Sequence, residues 1–158
     1  KIKNHPRYPY HLLREEMQEF ILDKLQLLIE RKLIKGIGEN GTEYTVIAQI
    51  LDLPKEILRL IQKFDFTKKN PKLIYINTGE TMISLQDSIL VTFLNLAGFD
   101  ILFFVPTGYQ SVENYFAEKL MEEHQIGEYK YDMQVPDLNN ISTNSTRPSW
   151  RRKLFRRG

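Results

Sequence analysis

Residues 72–116 repeat one unit, and that repetition restricts the fold more than any other feature of the chain. LIYIN runs into Thr78-Gly79-Glu80 and a long amphipathic stretch; ILFFV runs into Pro106-Thr107-Gly108-Tyr109 and another. Continuous apolar runs rich in β-branched and aromatic residues suit strands buried on both faces, as in a parallel sheet covered by helices. Between them Leu85, Ile89, Phe93 and Ala97 recur every four residues, with Leu90, Leu94 and Leu96 widening the stripe. That pattern predicts a core-facing helix over 84–97. Ser84 with Asp87 fits its N-terminal cap, and Gly98 stands where a left-handed C-terminal cap is expected. Strand, helix and strand with short links form a βαβ unit with a right-handed crossover. A second helix after the 107–108 turn is expected to carry Val112, Phe116 and Leu120 inward, with Tyr115 beside them. The expected fold class is α/β: a Rossmann-like βαβ core with parallel strands, preceded by a helical segment.

That helical segment is legible in two stripes. Over residues 12–35, Leu13, Met17, Ile21, Leu25 and Leu28 line one face, broadened by Phe20 and Leu22. Glu15, Glu16 and Glu19 come early and Arg31, Lys32 and Lys35 late, matching the helix dipole. Gly36, Gly38 and Asn40-Gly41 mark a turn, read here as a link between helices rather than a β-hairpin. Val46, Ile47, Ile50 and Leu51 then form one short stripe, and Ile57, Leu58, Leu60 and Ile61 another, separated by Asp52-Leu53-Pro54. Two short helices about a tight turn resemble a helix-turn-helix. A DNA reader needs polar groups aimed at base edges. Lys55, Arg59, Gln62 and Lys63 are of the right type, but Glu56 opposes them, so a helical hairpin beside the sheet is preferred and nucleic acid is not the expected partner.

The chain therefore divides into a helical segment, 1–66, with residues 1–11 as an entering linker; an α/β core, 67–136; and a flexible basic tail, 137–158. The tail is rich in Asn, Ser and Thr. It ends with Trp150, Leu154 and Phe155 among Arg147, Arg151, Arg152, Lys153, Arg156 and Arg157. Residues 147–158 are read either as a contact for a protein partner or an anionic surface, or as a solvated basic end.

Several classes fall away on composition. With no cysteine, disulfides, cysteine-bound zinc and a thiol nucleophile are excluded. A net charge of +2 gives the surface no strong electrostatic steer. No apolar run approaches the ~20 residues of a membrane span and no signal-peptide pattern is present, so the expected location is the cytoplasm. The first residue is Lys1 rather than Met. A fragment is expected, with the missing N-terminal part of the same protein completing any active site.

In a parallel sheet both Thr-Gly turns lie at the carboxyl ends of neighbouring strands, where ligands of open α/β folds bind. Helix N-termini there present free N–H groups and a positive dipole end, and glycine lets a ligand approach the backbone. The pattern points to a phosphate-bearing small molecule such as a nucleotide or nucleotide sugar. Asn77, Thr78, Gly79, Thr81 and Ser84 are its candidate contacts at the first tip, and Thr107, Gly108, Tyr109, Gln110 and Ser111 at the second. Glu80 is the best-placed carboxylate for holding a hydroxyl or for base work, and is the candidate catalytic residue. The plain alternatives are glycines that only make tight turns and a Glu80 favoured by the dipole; neither GxGxxG nor GxxxxGK[ST] occurs. Asp100, at the start of the second strand, lies at the opposite edge and is read as structural. His5, His11 and His124 have no metal-ligand spacing, and no Ser-His-Asp arrangement is evident. No metal or cofactor is assigned, and whether the chain is an enzyme stays open.

The run YINTGETMISLQDSILVTFLNLAGFDILFFVPTGYQSVENYF resembles the YceG-like family, bacterial proteins described as a component of a "biosynthetic module" and encoded near tellurite and toxic-cation resistance genes. The ending SWRRKLFRRG also looks like that family's C-terminus. The resemblance covers most of the chain as the C-terminal part of a longer protein. It implies a bacterial, cytoplasmic, stress-linked role, and it supplies neither a reaction nor catalytic residues.

Overall fold

In the computed structural model, which describes residues 2–63, 69–79, 83–109 and 112–134, four helices accompany a two-stranded parallel sheet. The order is a 3-10 turn at Ile2–Asn4, α1 (Glu15–Glu30), α2 (Thr42–Ile50), α3 (Lys55–Lys63), β1 (Lys72–Ile76), α4 (Leu85–Leu96), β2 (Asp100–Phe104) and a 3-10 turn at Val112–Tyr115. β1 and β2 pair in parallel, Lys72 opposite Asp100 through Ile76 opposite Phe104. The strand–helix–strand unit expected from the sequence is present. So is the helical character of the N-terminal segment, with turns rather than a hairpin between α1 and α2.

α4 is held at both ends by the residues its sequence offered. The Ser84 hydroxyl accepts from the Asp87 N–H at 3.0 Å, satisfying one of the donors that a helix start leaves open. Gly98 turns at φ +99°, and Phe99 N–H donates back to Leu94 O, a left-handed termination that glycine permits. Ile89, Phe93 and Leu94 are fully buried. They meet Met17, Ile21, Leu25 and Leu28 of α1 and Val46 and Ile50 of α2 in one hydrophobic cluster. α1 is shorter than the 12–35 stretch expected to be helical. Lys32 takes φ +50° and Lys35 N–H donates to Tyr115 O, so the helix stops at Glu30.

Four features differ from expectation. First, residues 2–11 are not a free linker. Tyr8 and Tyr10 are each 4% exposed, and the Tyr10 hydroxyl donates to Ile50 O at 2.6 Å and accepts from Leu53 N–H at 3.0 Å. Tyrosine rings bring apolar area to a core when the hydroxyl finds a partner. Second, the sheet is covered on one face. Leu73, Ile101 and Phe103 pack on the cluster, while Ile74 (56%), Ile76 (41%), Leu102 (50%) and Phe104 (48%) stand exposed on the other. Every other residue of a strand faces the same side, and the helices that pack on the sheet cover one side.

Third, among the described residues no long helix follows the 107–108 turn. Lys35 N–H donates to Tyr115 O and Ala117 N–H to Leu33 O, framing an antiparallel bridge between Ile34 and Phe116. Backbone groups spent in that bridge cannot continue a helical ladder. Phe116 is buried as anticipated, whereas Leu120 is exposed. Fourth, a Rossmann-like sheet would hold more strands; β1 and β2 are the strands among the described residues. The segment boundaries at 66 and 136, and the tail at 137–158, lie outside the described residues. Among the described residues no helix is long and apolar enough to cross a membrane.

Candidate functional site

The register sets the site. Pairing continues one residue beyond β1, where Asn77 N–H donates to Phe104 O at 2.9 Å. The two Thr-Gly turns therefore leave neighbouring strands at one edge, about one inter-strand spacing, ~4.8 Å, apart at their roots. The salt bridge between Lys72 and Asp100, 2.6 Å, closes the opposite edge. It holds the Asp100 carboxyl below the usual carboxylate range, with help from Asn70, which fits the structural role expected for Asp100.

At the first tip, the Asn77 side-chain oxygen accepts from Gly79 N–H at 3.2 Å, turning the chain as Asn commonly does. Thr78 is half-buried and Gly79 exposed. Glu80 and Thr81 lie outside the described residues. The chain re-enters at Ile83 and Ser84. Besides capping α4, Ser84 donates its hydroxyl proton to the Asp87 carboxylate at 2.7 Å, and Ser84 O accepts from the backbone N–H and the hydroxyl of Ser88. The N–H groups of Leu85 and Gln86, in the first turn of α4 (Leu85–Leu96), have no intrahelical acceptor.

At the second tip, Gly108 N–H donates to Val105 O at 3.0 Å and the Thr107 side chain is buried. Tyr109 N–H makes a long contact, 3.5 Å, to the Thr107 hydroxyl, and the Tyr109 ring is exposed. Lys130 N–H donates to Pro106 O at 2.8 Å, which brings the later chain back over this turn. Gln110 and Ser111 lie outside the described residues. Of the candidates, Asn77, Thr78, Gly79, Ser84, Thr107, Gly108 and Tyr109 thus gather at one edge of the sheet. The N–H groups of Gly79 and Gly108 themselves are already used within their own turns.

Sequence reasoning passed over Tyr75. It lies opposite Phe103 in the register, with the rings stacked at 5.0 Å. Burial pushes the Tyr75 hydroxyl above its ordinary value, and the nearby Asp87 carboxylate adds to that. The signal was a lone hydroxyl-bearing ring within an otherwise aliphatic strand. Asp87, read only as a cap, is also the carboxylate beside Tyr75. A concavity of about 450 Å³ is lined by Lys130, Tyr131, Asp132 and Met133, on the stretch that returns to the second tip. On α3, Lys55, Arg59 and Lys63 are exposed together with Glu56 and Leu60.

A family model described as the YceG domain matches residues 1–146. Over 93 residues the chain is 31% identical to "Uncharacterized protein YceG" of Bacillus subtilis (strain 168), covering 57% of this chain and 17% of that protein. The chain thus matches a minor part of that relative's length. No solved structure matches.

Proposed function

From the premise that the chain belongs to the YceG domain family, we propose that its strand-tip edge binds a phosphate-bearing small molecule, such as a nucleotide or nucleotide sugar, within a larger transferase-like enzyme. The observation that carries this reading is the parallel register, which sets the two Thr-Gly turns and the capped start of α4 at one edge of the sheet. Ligands of α/β sheets bind at such an edge. The phosphate would take the Leu85 and Gln86 N–H groups and the end of the α4 dipole. Asn77, Thr78, Gly79, Thr81 and Ser84 form one wall; Thr107, Gly108, Tyr109, Gln110 and Ser111 form the other. Glu80 is assigned to a ligand hydroxyl, as anchor or base, and the missing N-terminal part of the same protein supplies the remaining chemistry. A cytoplasmic, stress-linked setting near toxic-cation and tellurite resistance belongs to the same proposal, and so does a Rossmann-like completion of the sheet.

The test is thermal unfolding of the full-length protein with inorganic phosphate, ADP and UDP-glucose. A ligand at 100 times its Kd adds about 2.7 kcal/mol. Tyr109→Ala and Thr78→Ala should remove the shift while leaving the unliganded transition in place. If none of the three probes shifts the transition, or both variants retain the shift, the edge is not the binding site. With binding retained in Glu80→Gln, lost turnover would mark Glu80 as a base; lost binding would mark it as an anchor.

A second reading, a non-catalytic interaction domain, is favoured by the exposed apolar face of the sheet. The basic segment 147–158 belongs to that reading. The DNA alternative draws on the exposed Lys55, Arg59 and Lys63, and requires a salt-dependent duplex affinity tighter than about 10 μM.

A further inference from the structure

The link between α1 and α2 carries Asn40-Gly41, a pair in which the asparagine side chain lies open to attack by the next backbone nitrogen. Gly41 brings no Cβ to shield that nitrogen, and Asn40 is exposed. Other asparagines are placed differently. Asn70 precedes Pro71, whose nitrogen carries no proton. The Asn77 carboxamide accepts from Gly79 N–H at 3.2 Å. Asn95 stands within α4, its carboxamide donating to Phe99 O at 3.3 Å. We infer that Asn40 is a site of spontaneous modification, at which isoaspartate forms and loosens the turn that starts α2. No ligand enters this chemistry, so it stands independently of the strand-tip site.

The Gly41 nitrogen gives its proton to solvent base and bonds to the Asn40 carboxamide carbon. The bond from that carbon to Nδ2 breaks and ammonia leaves, closing a cyclic imide. Water then adds to either imide carbonyl and opens the ring as aspartate or isoaspartate. The net change is water in and ammonia out, with no oxidant or reductant. In isoaspartate the main chain runs through the former side chain and gains a carbon. The turn has little room for it. Gly36, Gly38 and Gly41 all lie in the left-handed region, at φ +88°, +83° and +73°, and a Cβ on Gly36 would come within 2.6 Å of the Thr42 hydroxyl. Gly38 N–H donates to the Glu43 carboxylate at 3.1 Å, a bond that spans the altered residue. The new carboxylate also falls between Glu39 and Glu43 in sequence. α2 carries Val46 and Ile50 into the core, so loosening its start weakens the cluster it shares with α1 and α4.

In the test, the full-length protein is kept folded in mildly alkaline buffer made with heavy-oxygen water, and its peptides are followed by mass spectrometry. The peptide holding Asn40 should take up heavy oxygen and split into aspartate and isoaspartate forms, ahead of the peptides holding the exposed Asn4 and the helical Asn95. Asn40→Gln keeps a carboxamide but needs a larger ring, and Gly41→Ala sets a methyl group beside the attacking nitrogen. Both should lose the uptake at this peptide. Alanine is strained at φ +73°, so Asn40→Gln decides the matter should Gly41→Ala not fold. Aged wild-type protein should unfold at a lower denaturant concentration than fresh protein, whereas aged Asn40→Gln should keep its fresh midpoint. Uptake at Asn40 no faster than at Asn4, or only after unfolding, overturns the inference. So does unchanged uptake at this peptide in Asn40→Gln, a modified protein with the fresh midpoint, or an equal fall in aged Asn40→Gln.

Discussion

Gly108 turns at φ +72° directly against the Tyr129 ring, and a Cβ on Gly108 would overlap one edge of that ring. The turn after β2 and the returning chain at 129–130 therefore lock each other. Gly108→Ala carries two costs: about 1–2 kcal/mol for a left-handed backbone and about 1–3 kcal/mol for overpacking. Chemical denaturation should show the midpoint falling accordingly. In a Tyr129→Ala background only the backbone share should remain, a coupling that a double-mutant cycle reads directly.

Tyr8 and Tyr10 meet edge to face at 5.8 Å, yet their hydroxyls differ. Tyr10 bridges Ile50 O and Leu53 N–H; the Tyr8 hydroxyl is buried with no partner among the described residues. Tyr10→Phe should cost about 1–3 kcal/mol by orphaning buried backbone groups. Tyr8→Phe should be neutral or stabilising, since it removes a desolvated hydroxyl that gains nothing. Equal losses from the two variants in thermal unfolding would contradict this assignment.

At the start of α4, Ser84→Ala removes the acceptor of the Asp87 N–H and should lower stability by about 1 kcal/mol. Asp87→Asn acts differently. It removes a negative charge from the site assigned to phosphate, so it should tighten phosphate binding in titration calorimetry while weakening the favourable pairing with the helix dipole. Weaker phosphate binding in Asp87→Asn would contradict the placement of the anion there.

Alkaline stability should carry the signature of Tyr10, whose hydroxyl is pushed by burial from an ordinary 10.0 up to about 12, with Asp52 and Tyr8 adding to the rise and the Leu53 N–H opposing it. Below pH 10 both states keep the proton and the full stability is present. Between pH 10 and about 12 the unfolded chain ionises first, so stability falls. Burial raises Tyr75 and Tyr8 in the same direction. Unfolding followed across that range should show a shallower decline in Tyr10→Phe. On the acid side, Asp100 is held low chiefly by Lys72. Its contribution is present above the ordinary carboxylate value and lost as the pH falls through the lowered one. Lys72→Met should blunt that loss.

The parts of the fold that were legible are those written in local pattern. The four-residue recurrence from Leu85 to Ala97, the Ser84 cap and Gly98 all act within one helix. The parallel strands followed from their apolar runs and the crossover between them. What escaped depended on distant partners. An apolar run does not say whether its second face is covered, so Ile74 and Leu102 read as buried. Phe116 looked helical because its pairing with Ile34 is invisible in local spacing. Tyr8 and Tyr10 sit in a polar, proline-containing stretch, and only the carbonyl of Ile50 and the amide of Leu53 reveal the role of Tyr10. The gathering of Asn77, Thr78, Thr107 and Tyr109 at one edge was legible because register follows from parallel pairing. The internal use of the Gly79 and Gly108 N–H groups was not.

The bridge between Ile34 and Phe116 also orders events in time. Helices and the βαβ unit can form from contacts close in sequence, whereas this bridge must close nearly the whole loop from α1 to the end of the second turn. Loop closure over such a span costs entropy before any contact repays it, and long-range pairings form late for that reason. The 33–35 and 115–117 segments should therefore be a latch, set last on folding and released first on unfolding. Truncating Phe116 would then speed unfolding while leaving the folding rate nearly unchanged.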